Sequence, residues 1–239
     1  MADGQNVVRG GQIARGAIIA LLCGASLAGF LTPDTARAGE AHDQLFATGA
    51  LGDVATGEVL VYEFERTGGF PTEKLGKVTA GAAKLTLAAG TDGGPRTALA
   101  EIEDGGRHAY DPFPAEAGNP MFMVFMEEAV ESMAKLTGGS PFYIRNRMRE
   151  ALSAQDSVTP VEVEYGGAKV QARELAFQPF TGDKNADRMG AFSDLTIRFV
   201  MSDAVPGEFA RMEAVTGPGP DGAPFMRMSL DLDKVEKES

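Results

Sequence analysis

The sequence predicts an α+β protein that is mainly antiparallel β: a curved sheet or incomplete barrel with an inserted helical hairpin. Three observations carry this reading. Between Gly57 and Asp233 most segments alternate apolar with polar residues, the period-two signature of strands with one covered face. One interval, at about residues 119–154, changes to apolar residues three and four apart, the period of a helix. Glycine-rich turns separate the segments, and the continuous apolar runs typical of parallel strands are missing from them.

The N-terminus stands apart from this pattern. Arg9 and Arg15 precede the apolar run GAIIALLCGASLAGFL, and TPDTARAG follows, with Ala36 and Ala38 forming an Ala-x-Ala cleavage site. Residues 1–38 therefore read as a signal peptide, which implies export to the periplasm or secretion beyond it. The apolar run is shorter than the ~18 residues of a membrane span, so no integral span is expected after processing. Leu22 before Cys23 departs from the small residue that precedes a lipid-bearing cysteine. Cys23 is the single cysteine, so a chain that starts near Gly39 has no disulfide and no thiol chemistry. Residues 39–239 read as one β-rich domain.

Along that domain GEVLVYEFERTGG sets Leu60, Tyr62 and Phe64 on one face and Glu63 and Glu65 on the other. KVTAGAAKLTLAAG and RTALAEIEDGGRHAY read as further strands, separated by TDGGP. VEVEYGGAKVQARELAFQPF reads as two strands joined at Gly166-Gly167, a dipeptide that supplies the positive φ angles of a tight hairpin turn. DLTIRFVM puts Leu195, Ile197, Phe199 and Met201 on one face. EFARMEAV and PFMRMSLDL follow, with TGPGPDGA between them. In the last strand Met226, Met228, Leu230 and Leu232 alternate with Arg227, Ser229, Asp231 and Asp233.

The helical interval opens at Asn119, a good N-cap, with Pro120 at the first helical position, where its missing N–H costs nothing. Its first turns, Met121 to Met126, are apolar on every side, so this half of the helix is expected inside the curve of the sheet. Beyond Met126 it becomes amphipathic, with Ala129, Val130, Met133 and Leu136 inward and Glu127, Glu128, Glu131 and Lys135 outward. Gly138-Gly139 ends it, and Ser140, read as a cap, starts a second helix with Ile144, Met148 and Leu152 as its buried stripe.

The chain carries a formal charge of −12, which becomes −13 once the three arginines and two aspartates of residues 1–38 are removed. Such a field repels nucleic acid and anionic membrane faces, so nucleic-acid binding is not expected. Catalytic constellations are scarce. The two histidines, His42 and His108, have no spacing that pairs them on one metal. Asp111 and Tyr110 could assist His108, which reads as a surface residue on a strand edge. Nucleophile elbow, phosphate-cradling loop and dinucleotide fingerprint are all missing, and no catalytic residue, metal site or cofactor is assigned. Met121, Met123, Met126 and Met133 are thioethers of the kind that suit Cu(I). Residues 121 and 123 diverge by about 200° around a helix, so methionine acts here as core filler or ligand lining. Arg145 and Arg149, one turn apart, could hold an anionic head group between them, or pair with carboxylates on a solvated face.

The runs TGEVLVYEFERTG, GNPMFMVFMEEAVESMAKLTGGSPFYIRNRMREAL and FVMSDAVPGEF together resemble an uncharacterised family of exported proteobacterial proteins. The resemblance covers most of residues 39–239 and implies an order of elements: opening strand, GNP helix, TGG turn, arginine-bearing helix and a closing SDxVPG strand pair. It implies no activity. The general shape also resembles the periplasmic lipoprotein carriers, a likeness of architecture alone. The expected function is thus a non-enzymatic exported protein that binds a lipid or other apolar ligand beneath the helical hairpin, with Met121, Phe122, Phe125, Met126, Arg145 and Arg149 as the ligand-binding residues. A protein-interaction module with a fully packed core is the alternative, and a hydrolase using His108 or paired carboxylates is the third reading. The sequence names no protein partner.

Overall fold

The computed structural model describes residues 45–155 and 158–238. The expected signal peptide with Cys23 and the Ala36-x-Ala38 site lies outside the described residues, as does His42.

Alternating side chains produce strands β1 (Glu58–Thr67), β2 (Val78–Ala88), β3 (Thr97–Glu103), β4 (Arg107–Ala109) and β5 (Phe113–Pro114), followed by helices α1 (Met121–Thr137) and α2 (Pro141–Ser153). Then come β6 (Thr159–Tyr165), β7 (Ala168–Phe177), the one-turn helix α3 (Ala186–Met189), β8 (Thr196–Met201), β9 (Phe209–Val215) and β10 (Arg227–Lys237). Among the described residues these strands form one open antiparallel sheet in the order β4-β3-β2-β1-β10-β9-β8-β7-β6, with β5 beside β3. It consists of two meanders that meet where the first strand pairs with the last, from Glu58↔Lys237 to Thr67↔Arg227, with a one-residue register shift between Val61 and Tyr62. The helical hairpin occupies the connection between the two outer edges of the sheet, so the chain crosses a sheet face at this point.

That face is the apolar one. Leu60, Tyr62, Phe64, Leu85, Ile102, Leu175, Ile197, Phe199, Met212 and Leu230 are buried in a single cluster with Met121, Phe125 and Met133 of α1 and Ile144, Met148 and Leu152 of α2. Aromatic rings fill the contact. Phe122 meets Phe199 edge-on at 5.2 Å and stacks over Phe209 at 6.4 Å, while Phe125 meets Phe199 at 6.0 Å. The tight hairpin forms as expected, with φ of 60° at Gly166 and 78° at Gly167. On the free edge of the sheet β6 carries Pro160, Glu162 and Glu164, residues that discourage edge-to-edge pairing with another chain.

Four local expectations need correction. RTALAEIEDGGRHAY is not one strand: it folds back at Asp104–Gly106, where the Asp104 N–H donates to the Gly106 oxygen at 3.2 Å, and so makes the β3–β4 hairpin. Met123 is 46% exposed, so the start of α1 is not buried on every side; Met121, Phe122, Val124 and Phe125 are buried and Met126 is half-buried. Asn119 is not the N-cap of α1: Pro120 holds that position without a side-chain capping bond, Met121 is the first helical residue, and the Asn119 Oδ1 accepts from the Met121 N–H at 3.0 Å in the turn that leads into the helix. Ser140 is at the N-cap of α2 as expected but does not cap it through its hydroxyl. Its backbone oxygen accepts from Ile144 instead. Finally, Val59 and Val61 are buried although they share the outer face of β1 with the glutamates. Val61 lies opposite Lys84 of β2 and Lys234 of β10, its cross-strand neighbours on that face.

Candidate functional site

The structure distributes the residues expected to bind ligand. Met121 and Phe125 are fully buried, Phe122 is nearly so, and Met126 is half-buried against the same core. Phe122 also lines a notch of about 70 Å³ at the start of α1, together with Phe46, Phe113 and the exposed Met123. The arginines have separate partners. The Arg145 fork closes on the Glu127 carboxylate of α1 at 3.1 and 2.5 Å, and Arg149 donates to Asn146 at 2.8 Å. The thioethers do not converge either, since Met121 and Met133 are buried while Met123 faces solvent.

A larger cleft, of about 390 Å³, lies at the turn of the hairpin. The TGGSP segment builds one wall. Gly138 adopts φ 71° at the end of α1 and donates to the Ala134 oxygen at 2.8 Å, the usual left-handed helix stop. The Thr137 hydroxyl donates to the Met133 oxygen at 2.7 Å and accepts from the Gly139 N–H at 3.1 Å, which fixes the path of the turn. A Cβ on Gly139 would stand 3.0 Å from that hydroxyl oxygen. Met133, Ile144 and Met189 give the cleft an apolar floor, and Tyr143, Asn185 and Arg188 add polar groups.

Beneath these polar groups lies Asp183, a buried carboxylate. Tyr143 and Arg147, one helical turn apart on α2, both reach it: the phenol donates at 2.7 and 2.8 Å, and the Arg147 Nε lies 2.8 Å away. The Asn185 backbone N–H donates to the same carboxylate at 2.8 Å, and the Asn185 side-chain amide donates to the Tyr143 oxygen at 2.9 Å. Burial pushes the Asp183 carboxyl up, but the Asn185 N–H, the Tyr143 hydroxyl and Arg147 together hold it below the usual carboxylate range. The same bond to Asp183 pushes the Tyr143 phenol up. Arg188, in contrast, is exposed and has no carboxylate partner among the described residues. A guanidinium left open beside an apolar floor can receive a carboxylate in its fork.

Sequence reasoning missed this cleft because TGDKNADRM reads as a polar loop. The available signal was Tyr143 with Arg147 at i and i+4, two donors on one helix face that call for a shared acid.

A second cluster clamps the hairpin to the sheet. Arg66 is 4% exposed, lies over the Phe64 ring, and binds Asp104 at 2.9 Å, Glu128 at 3.4 Å and the Gly76 oxygen at 3.1 Å. Tyr110 donates to Glu128 at 2.8 Å. His108 sits on edge strand β4 as expected, but its near carboxylate is Asp104, at 3.3 Å, and not the anticipated Asp111. Among the described residues no group of three or more His, Cys, Asp or Glu side chains is arranged to hold a metal ion, and no helix is long and apolar enough to cross a membrane. No known family's model matches the chain, and no curated protein matches it.

Proposed function

We propose that this is a non-enzymatic binding protein that acts after export and holds a small amphipathic anion, a carboxylate on an apolar chain, in the cleft at the hairpin turn. The observation that supports it is the union of an apolar floor (Met133, Ile144, Met189) with the open Arg188 guanidinium in one space of about 390 Å³. That size falls in the range of ~300–1,000 Å³ typical of small-molecule sites. The ring packing of Phe122, Phe125, Phe199 and Phe209 favours this position over one beneath the helices. Asp183, Tyr143 and Asn185 hold the polar wall rigid, so little ordering is required when a ligand arrives.

Displacement of a fluorescent fatty-acid probe by medium-chain carboxylates tests the reading. Saturable displacement at one site is expected, weakened about tenfold or more in Arg188→Gln, because a charge-assisted bond is lost. The melting temperature should hold, since Arg188 is exposed. If the protein shows no saturable displacement, the cleft is not a ligand site, and the interaction module with a packed core becomes the better reading.

A further inference from the structure

Phe142 is the most exposed large hydrophobic residue among those described, at 71%. It stands in the first turn of α2, next to Ser140 and Tyr143 of the cleft wall. The helical repeat puts Phe142, Arg145 and Arg149 on one outward face, opposite the buried Ile144, Met148 and Leu152. The surrounding charge reverses the sign of the protein. From Lys135 to Arg149 the sequence holds four cations and no carboxylate, in a chain of formal charge −12.

Several of the nearby cations are left uncompensated. Glu127 neutralises Arg145, and Asp183 and Glu150 neutralise Arg147. Arg149 has only the neutral Asn146, and Lys74 has only the backbone oxygen of Leu136 at the end of α1, at 3.4 Å. Lys184 and Arg188, beside the cleft, have no ion-pair partner among the described residues, and Asp187 is the carboxylate between them. The turn end of the hairpin therefore presents one aromatic side chain near open cations, in a chain whose net charge is negative.

We propose that this end of the hairpin docks on the surface of an anionic phospholipid bilayer, with Phe142 entering the head-group layer beside the mouth of the cleft. The proposal rests on the binding reading above and supplies the route by which an amphiphile enters. A protein partner would call for a wider apolar patch around Phe142, because stable interfaces have an apolar centre. A lone aromatic ring among cations suits the membrane interface, where an apolar body and a charged rim each find their medium. The acidic remainder is repelled by the same bilayer, so the field also orients the approach.

The chain has no tryptophan, so Phe142→Trp installs a single emitter at the proposed contact. With vesicles of phosphatidylglycerol and phosphatidylcholine its emission should shift to the blue and be quenched by brominated acyl chains. Phosphatidylcholine alone should leave it unchanged, and added salt should reverse the effect. Leu99→Trp, an exposed site on β3, should not respond. Adding Arg149→Gln should weaken vesicle affinity about fivefold, the contribution of one cation near an anionic surface. The docking proposal is overturned if Phe142→Trp fails to shift, if Leu99→Trp shifts equally, or if soluble polyglutamate produces the same response, which would mark an acidic protein as the partner. Probe displacement in solution without vesicles reports on the cleft separately, so loss of either result does not imply loss of the other.

Discussion

The side-chain amide of Asn119 donates to the Gly207 carbonyl oxygen at 2.7 Å, tying the start of α1 to the β8–β9 loop across 88 residues of sequence. The same amide reaches the Tyr62 hydroxyl at 3.3 Å, and the Asn119 side-chain oxygen accepts from the Met121 N–H at 3.0 Å. Opening strand, GNP helix and SDAVPG loop thus share one buried side chain, whose donors and acceptor are all in use. Gly207 has φ 73°, and a Cβ there would come within 2.7 Å of Leu60 and 2.8 Å of the Asn119 amide.

Asn119→Ala should therefore destabilise the fold by about 3–4 kcal/mol in urea denaturation, because its hydrogen bonds are lost and the buried Gly207 oxygen and Met121 N–H are left unpaired. Gly207→Ala should cost about 2–4 kcal/mol through its positive φ and the crowded Cβ. A loss under ~1 kcal/mol in both would mean that the junction contributes little.

Phe125→Ala tests whether the oily start of α1 is filler. The ring is fully buried against Phe199, so its removal should leave a void and lower stability by roughly 3–5 kcal/mol. A distinctly smaller loss, measured calorimetrically, would point to space already open beneath the helices.

Arg66→Met removes the cation between Asp104 and Glu128, both mostly buried. The two carboxylates then lose their shared cation and keep the Tyr110 hydroxyl and His108 as polar neighbours, at an expected cost of about 3–5 kcal/mol. Replacing all three by apolar residues of similar volume should recover much of that stability, and a triple variant no better than the single one would contradict the account.

Asp183 gives a pH dependence with a definite sign. Its folded carboxyl lies below the ordinary range, so as pH falls the unfolded chain takes up the proton first. The stability held by this group is complete at neutral pH and is lost from about pH 4 downward, through the lower folded value. Wild type should thus melt higher than Asp183→Asn at pH 7, and the gap should close in acid. A gap that stays constant with pH would show that the charge of Asp183 is not what matters.

Strands and helices were legible wherever a period repeats. Leu60, Tyr62 and Phe64, or Ile144, Met148 and Leu152, announce their buried faces within a few residues. Met123 was not legible, because a continuous apolar run has no period and the rotation of the helix within it is set by Phe199 and Phe209, far along the chain. Arg66 reads as the polar end of a strand; its burial depends on Asp104 and Glu128, 38 and 62 residues away. The cleft was hidden for the same reason, since Asp183 and Arg188 acquire meaning only once their loop lies against the TGGSP turn. The arginines of α2 were noticed as cations, but pairing with Glu127 is a property of the hairpin and not of the helix alone.

The pairing of β1 with β10 has a consequence in time. Synthesis delivers the two meanders one after the other, and the seam that joins them closes only when Arg227–Lys237 emerges. Until then β1 presents an unpaired edge of alternating Leu60, Tyr62 and Phe64, a template for mispairing with a neighbouring nascent chain. So distant a contact also makes acquisition of the native state intrinsically slow, because a loop of nearly the whole domain must be closed before the pairing is rewarded. A chain interrupted before Arg227 would hold both halves of the sheet and the helices between them, yet lack the one strand that turns two ribbons into a single cooperative unit.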